Sequence, residues 1–437
     1  MLKNALKRFD YKLFLAIFIT GLLPTIYTTV RFNFLGNLPG DWGYNIASQL
    51  QYVNLIFEVI QEMLILPLFF LIGKTILDDS ETRNKIKTGL IGLFAVILFF
   101  STILFVFAEG IVTAMAQNPD LISGTVTYIR YELGGVLISN MVKFLMVVLV
   151  LKEFKKDIYI VLVIQMVFTV LFDSWFISEL SFSLDLGVNG IAFTNIIVNV
   201  LMFVYMAYRI FTVYAIKVKT FFQDLDFIWT KEWLKVGGFS GIESFVRNFA
   251  FMIMIIRMIN VVNEQGTFWV ANGFIWGWML LPVLTLGELI KKETAEGDQY
   301  IARNTIGYFV VTTIIVIIWL VTIPVWSPFL QHVMNVPEYG KVFDLIVLQV
   351  IFYIIFAYNN IMDSTFYGVG RTDYMLYQSL IVNIIFYGAA FILFRAGIFE
   401  PTLNGIAIMF GLGMTFDFIP TVVLYIKLLK DRNIKFT

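Results

Sequence analysis

The sequence predicts an all-α integral membrane protein with twelve transmembrane helices, arranged as two six-helix repeats that run in parallel. Composition is the first observation. Of 437 residues, 59% are hydrophobic and 14% are charged, and the mean hydropathy is +0.83, whereas soluble proteins have roughly 45–50% apolar residues. The second observation is a match of the chain with itself. Residues 30–31 (Val-Arg) recur at 246–247, and residues 189–192 (Asn-Gly-Ile-Ala) recur at 404–407. Because this offset of 215 or 216 positions holds along the chain, it indicates a duplicated membrane domain.

Apolar runs between charged or Gly/Pro breaks are each long enough for a helix that crosses the bilayer, which needs about 20 residues. The predicted spans are 15–38, 46–74, 88–108, 125–150, 158–177, 187–214, 236–258, 267–290, 304–326, 342–367, 373–394 and 403–428. Since each half holds an even number of helices, both halves enter the membrane from the same side. We therefore predict an N-terminal lobe at 1–214, an interfacial linker at 215–235 and a C-terminal lobe at 236–437.

Lysines and arginines predict the orientation of the helices. They are concentrated at the N-terminus and in alternate loops, whereas the opposite loops hold only Lys341 and Arg395. By the positive-inside rule, both termini and the linker are cytoplasmic. Lys3, Lys7 and Arg8 precede the first apolar run, but no small-residue cleavage pattern follows it, so we expect a first spanning helix and not a removed signal. The expected location is the inner (cytoplasmic) membrane, crossed many times.

Several classes of function are disfavoured by composition. The chain has 31 basic and 31 acidic residues, so no positive surplus exists to bind nucleic acid. It has no cysteine and one histidine, which disfavours disulfides and thiolate or histidine metal sites. No Gly-rich phosphate loop, nucleophile elbow or zinc-binding helix motif is present. We predict a protein that is not an enzyme and that has no cofactor other than a coupling ion, Na⁺ or H⁺.

Two arginines occupy matching positions on the first helix of each repeat, Arg31 and Arg247. A charge at the centre of a span costs at least ~2.5–3.5 kcal/mol, so both are expected to face the protein interior and one common cleft. Each could form an ion pair with a carboxylate such as Glu62, Glu243 or Asp363, and Arg31 could instead extend to the membrane surface. The alternative is that the two guanidinium groups bind an anionic substrate headgroup.

Acidic residues within the spans are candidates for ion coupling. Glu58 and Glu62 are four residues apart and share one helix face, where two close carboxylates favour a shared proton or a bound cation. Glu243 lies one turn before Arg247, a spacing that suits an ion pair within the helix. Asp173 and Asp417 stand alone on their helices, and polar contacts between helices are the expected role of both.

Two amide-containing motifs complete the candidates. Asn359, Asn360 and Asp363 form an oxygen-rich group in the tenth span that could bind Na⁺, with Asp363 and Asn359 as ligands, or take a proton. Asn195 and Asn199 form an i, i+4 pair in the sixth span, which could bond between helices or face substrate. Separately, Pro67 and Pro282 occupy matching helices, and we expect both to bend them.

Three segments resemble the multidrug and toxic compound extrusion (MATE) family, within the superfamily that also holds oligosaccharide-lipid flippases. Residues 186–192 open the sixth span, residues 367–372 (Tyr-Gly-Val-Gly-Arg-Thr) form a turn after the tenth, and residues 238–244 open the seventh, with Phe239 where proline is usual. The resemblance implies two lobes in a V shape and cation-driven export by alternating access. The sequence departs from the family at Arg31, where an aspartate is common, so the resemblance does not extend to the usual ion site of the first lobe.

The leading functional hypothesis is therefore a MATE-type secondary transporter that exports an organic or lipid-like substrate and acts as a monomer in the lipid bilayer. The alternative is a flippase for a lipid-linked saccharide or another anionic lipid. A membrane-embedded enzyme lacks clustered catalytic groups, and a scaffold would not need matched charges within its spans.

Overall fold

The chain is mostly helical in the computed structural model, which describes residues 9–38 and 42–435. The basic residues Lys3, Lys7 and Arg8 lie outside the described residues. The helices are α1 (Tyr11–Leu35), α2 (Trp42–Ser48), α3 (Leu50–Leu64), α4 (Leu68–Gly73), α5 (Asp79–Ala114), α6 (Ile122–Leu151), α7 (Lys155–Phe176), α8 (Asn189–Val213), α9 (Thr230–Phe251), α10 (Arg257–Val261), α11 (Gln265–Phe274), α12 (Leu281–Glu296), α13 (Asp298–Pro328), α14 (Tyr339–Gly368), α15 (Thr372–Ile381), α16 (Gly388–Arg395) and α17 (Leu403–Asp431). No strand occurs among these residues, and short π-helical segments join α9 to α10 and α15 to α16.

The predicted all-helical membrane fold is confirmed. Within the described residues, ten helices are long and apolar enough to cross a membrane, and a bent helix pair brings the number to eleven. The seventh predicted span is also one helical stretch, formed by α9, a π-helical segment and α10. It is not among those ten helices or the bent pair, and α9 carries Lys231, Lys235, Glu243 and Arg247. Helix α5 is much longer than the predicted span 88–108, since its charged first turns continue the helix beyond the apolar run.

Prolines interrupt the second helix of each repeat, as predicted. Helix α3 ends at Leu64, and α4 begins only after Pro67. In the second repeat, residues 265–279 and 281–296 meet at an angle of 54° beside Pro282. Because proline lacks an N–H and its ring collides with the preceding turn, the helix cannot continue straight through either position.

Contacts divide the chain into two compact units that do not coincide with the sequence halves. Unit I is residues 37–256, and unit II combines the segment ending at Gly36 with residues from Arg257 onward. Helix α9 therefore belongs with the first half of the chain, and α1 belongs with the second. The predicted lobe boundaries at 214 and 236 refer to the sequence repeat and not to these packing units, and they remain a prediction.

Small residues allow α1 to pack closely within unit II. The Thr25 hydroxyl donates to the Gly277 carbonyl at 3.0 Å, and the ring of Phe32 lies directly against Gly273. Close approach at glycine and threonine is the usual way in which membrane helices associate, because lipid provides no hydrophobic drive between them.

Unit I is held together by an extended apolar core and by close backbone contact between α3 and α9. Its core is continuous from Tyr52 on α3 to Ile210 on α8. At Gly237 on α9 the backbone is so near Met63 that a Cβ atom would lie 1.7 Å from the Met63 carbonyl oxygen. Beside it, the Trp233 indole N–H donates to the Leu64 carbonyl at 2.6 Å. The end of α3 is thereby fixed against α9.

Replacing Gly237 with alanine should destabilise unit I, because the new methyl group must push two helix backbones apart. Overpacking of this kind costs about 1–3 kcal/mol, which should lower the thermal unfolding midpoint of the detergent-solubilised protein. The adjacent Gly238 is the matched control, since a Cβ atom added there would have no neighbour within 4 Å, and Gly238→Ala should change stability by less than about 0.5 kcal/mol. Equal midpoints for the two variants would contradict the close approach.

Candidate functional site

Unit I contains an ion-pair network centred on Arg247. Its Nη2 atom lies 3.1 Å from Glu58 Oε1 and 2.7 Å from Glu62 Oε1, and its Nη1 atom lies 3.6 Å from Glu243 Oε1. The i, i+4 spacing places Glu58 and Glu62 on one face of α3 and places Glu243 with Arg247 on one face of α9. The two helix faces meet at the guanidinium group.

The network has more acidic than basic groups. Three carboxylates contact one guanidinium, and a second cation, Lys143 on α6, donates to Gln61 on α3 at 2.8 Å. The Arg247 and Glu58 side chains remain 38% and 42% exposed, so other molecules can reach them. Arg247 thus has the ion-pair arrangement that the sequence allowed, and an anionic ligand would have to compete with three carboxylates for it.

Arg31 lies on α1 in unit II, whereas Arg247 lies in unit I. Its side chain is partly buried. The expectation that both arginines face one cleft stays a prediction.

Unit II contains a second acidic cluster, built from three helices. Asn359 on α14 donates through Nδ2 to Asp363 at 3.2 Å and to Asp417 on α17 at 2.9 Å. Gln378 on α15 donates to the other oxygen of Asp363 at 2.9 Å, and Thr421 donates to Gln378 at 3.0 Å. One amide therefore bridges the two carboxyl groups.

The electrostatics of this cluster differ from those of the Arg247 network. In the described part of the chain, neither Asp363 nor Asp417 has a salt bridge, and their donors are neutral amides. Asn359 is 2% exposed, and its Oδ1 atom is buried without a hydrogen-bond partner. Two carboxyl groups and a free amide oxygen lack a positive partner, and oxygen ligands of this kind suit a hard cation or a shared proton.

In unit II, the residues that lie together differ from those that the sequence predicts to lie together. Asn359 and Asp363 come together as their spacing indicates, but Asn360 does not join them, because its Nδ2 atom donates to the Val283 carbonyl at 3.1 Å. Asp417, which the sequence places alone on its helix, is part of the cluster. No local signal marks Asp417 or Gln378, since each is a single polar residue whose contact depends on how helices pack.

The buried carboxylate of Glu132 contacts Asn195, one of the two asparagines predicted to face substrate or to bond between helices. Glu132 on α6 is 2% exposed, and its Oε1 atom accepts from Tyr128 at 3.0 Å and from Asn195 on α8 at 2.8 Å. Asn195 thus makes the hydrogen bond between helices that was one of its two predicted roles. Asn199 donates to the backbone carbonyl of Asn195 at 2.7 Å, within its own helix.

Comparisons with known proteins show the fold of the chain. No protein-family model matches the sequence, and no curated protein matches it. Among solved structures, an inward-facing multidrug resistance MATE family transporter of the MOP superfamily is 16% identical, with a TM-score of 0.71 over 95% of this chain and 96% of the other. An outward-facing one is 17% identical, with a TM-score of 0.64 over 98% of each chain.

A third structural neighbour differs in the character of its pocket. It is a MOP superfamily transporter from Pyrococcus furiosus, 16% identical with a TM-score of 0.63 over 96% of each chain. It is described as having a binding pocket of reverse polarity that suggests a different function. The chain has the fold of the MATE transporters of the MOP superfamily, as the sequence resemblance implied.

Replacing Arg247 with glutamine should destabilise the protein, because three carboxylates on two helices lose their shared partner. We expect a cost of about 1–2 kcal/mol, less than for a fully buried pair because the guanidinium is 38% exposed. Adding Glu62→Gln to Arg247→Gln should recover part of the loss in the thermal unfolding midpoint. Strictly additive effects of the two substitutions would show that the residues are not coupled. Arg371→Gln is the control, since Arg371 has one salt bridge, to Asp373.

Proposed function

We propose that the protein is a secondary active transporter of the MATE type, which exports an organic substrate across the cytoplasmic membrane by alternating access coupled to Na⁺ or H⁺. The observation that carries the coupling is the Asp363–Asn359–Asp417 cluster, which has two carboxyl groups and no basic partner among the described residues. The fold supports transport, since the solved neighbours include inward-facing and outward-facing transporters. A transporter needs no enzymatic group, and we propose none.

The cluster can couple ion binding to a change in helix packing. When both carboxyl groups are ionised, they repel across the contact between α14 and α17, and a bound cation or proton removes that repulsion. Asp363 and Asp417 would supply charged oxygens and Asn359 Oδ1 a neutral one. Gln378, held by Thr421, would keep Asp363 in place. Loading and release of the ion would then bias the helices between two arrangements.

The substrate is proposed as a small organic or lipid-like molecule. The Arg247 network favours export over anionic lipid flipping, because its guanidinium is already engaged by Glu58, Glu62 and Glu243. The flippase for a lipid-linked saccharide or another anionic lipid is the second candidate. Two observations support this second candidate. Arg31 stands where a carboxylate is common in the family, and one structural neighbour is described as having a binding pocket of reverse polarity.

Transport can be tested in vesicles that contain the purified protein, under imposed Na⁺ or proton gradients. Ethidium and carboxyfluorescein serve as a cationic and an anionic probe. Gradient-driven movement of either dye, lost in Asp363→Asn, is the expected result. Movement of a labelled anionic lipid without any gradient, and unchanged in Asp363→Asn, would instead support the flippase.

Ion binding should be detectable without a substrate. At constant ionic strength, replacing choline with Na⁺ should raise the thermal unfolding midpoint of the wild type, because a ligand that binds only the native state stabilises it. Asp363→Asn and Asp417→Asn should remove this increase, whereas Asp344→Asn, an exposed carboxylate on the same helix α14, should retain it.

A proton in place of Na⁺ gives a different pattern. The wild-type midpoint is then insensitive to Na⁺ but varies with pH in a way that Asp363→Asn abolishes. A Na⁺ effect of equal size in wild type and Asp363→Asn would place the ion elsewhere.

A further inference from the structure

An apolar cavity of about 540 Å³ lies in unit I, under the segment that follows α8. From here on, the linker is residues 214–229 and not the predicted 215–235, since α8 ends at Val213 and α9 begins at Thr230. The cavity walls come from α5, α6, α8 and the linker, and the lining residues include Leu90, Phe94, Leu137, Met141, Phe211 and Phe222. The cavity has no part in the ion-pair network or in the carboxylate cluster.

The linker wall of this cavity is fixed in place. The Asn84 side chain and the Asp226 backbone form two reciprocal hydrogen bonds, of 2.7 and 2.9 Å. The Lys87 ammonium donates to the Gln223 carbonyl, and the rings of Phe211 and Phe221 stack with centroids 5.7 Å apart. Since polar bonds and ring stacking hold the linker on α5 and α8, the cavity is preformed.

The length of the cavity matches one leaflet of a bilayer. On α8 its lining runs from Phe211, near the linker, to Val200. At a rise of 1.5 Å per residue these eleven steps cover about 16 Å. Half of a hydrocarbon core of about 30 Å is about 15 Å. A single acyl chain entering from the linker end would therefore fit along the cavity.

The linker end of the cavity has exposed lining residues and neighbouring positive charge. Lys217 and Lys219 flank Val218, which lines the cavity and is 78% exposed. Both lysines are exposed, and among the described residues neither forms a salt bridge. The carboxylate of Asp226 is turned back into the linker, where it accepts the Ile228 N–H at 2.8 Å. Two exposed lysines on either side of a lining residue at the linker end of an apolar cavity complement an anionic headgroup with an acyl tail.

We propose that this cavity binds one anionic glycerophospholipid, with an acyl chain in the cavity and the headgroup phosphate at Lys217 and Lys219. The bound lipid would fill the gap between α5, α6 and α8 and hold the linker against these helices. The site is independent of the transport proposal, because it shares no residue with the ion-coupling cluster.

Native mass spectrometry of the purified full chain, with added lipid, tests the proposal. Palmitoyl-oleoyl phosphatidylglycerol should be retained more tightly than the zwitterionic phosphatidylcholine of equal chain length. Lys217→Gln/Lys219→Gln should weaken phosphatidylglycerol binding by about tenfold or more, since each basic group near an anionic surface contributes about a fivefold factor. The control is Lys427→Gln/Lys430→Gln on α17, which removes the same charge from another exposed site.

The apolar part is tested by Val200→Trp, which fills the cavity from a side chain that is 38% exposed. This substitution should weaken the binding of both lipids. Phe222→Ser is the second variant, for use if Val200→Trp does not fold. Phe222 is 76% exposed, so serine opens the cavity wall without burying a new polar group. This substitution should also weaken the binding of both lipids. Equal phosphatidylglycerol binding in the two lysine double variants would overturn the headgroup assignment. Unchanged binding of both lipids in the cavity variants would overturn the site.

Discussion

A charged side chain within an apolar helix must find its partner inside the protein, and much of unit I depends on how Arg247 meets this requirement. Its three carboxylate partners lie on α3 and α9, so the network fixes these helices face to face. The same contact continues through Gly237, whose lack of a side chain admits the Met63 carbonyl, and through Trp233, which binds the Leu64 carbonyl. This interface explains how a helix as charged as α9 is kept among apolar ones.

The two repeats have diverged in charge within a common helical frame. Lys143 on α6 and Asn359 on α14 are 216 positions apart, which is the repeat offset. In unit I this position holds a cation next to an acidic network, whereas in unit II it holds an amide between two carboxyl groups. The Arg247 network thus contains basic groups among its carboxylates, whereas the Asp363–Asn359–Asp417 cluster has none among the described residues. That difference is the reason why ion coupling is proposed for unit II and not for the Arg247 network.

Local spacing determined which parts of this arrangement the sequence could predict. Apolar runs predict the spans, and the i, i+4 spacing of Glu58 with Glu62 and of Asn359 with Asp363 predicts shared helix faces. The exchange of α1 and α9 between packing units has no local signal, because it depends on which glycines admit which neighbours. The joining of Asp417 and Gln378 to Asp363 likewise depends on packing between distant segments. Helix ends were not predicted correctly either. A polar first turn, such as that of α5, resembles a loop when only apolar runs are used to place the helices.

The neighbouring residues Asn359 and Asn360 show why composition alone does not define an ion site. Successive residues on a helix point about 100° apart, so the two amides cannot serve one cluster. Asn359 faces α17 and the carboxyl groups, while Asn360 faces α12 and binds the Val283 carbonyl beside the break at Pro282. In a membrane, backbone groups near a broken helix need partners within the protein. Trp233 plays the same part near Pro67, where the Leu64 carbonyl accepts its indole N–H. Each unit thus ties its broken helix to a neighbour through side-chain donors, and Asn360 is one of them.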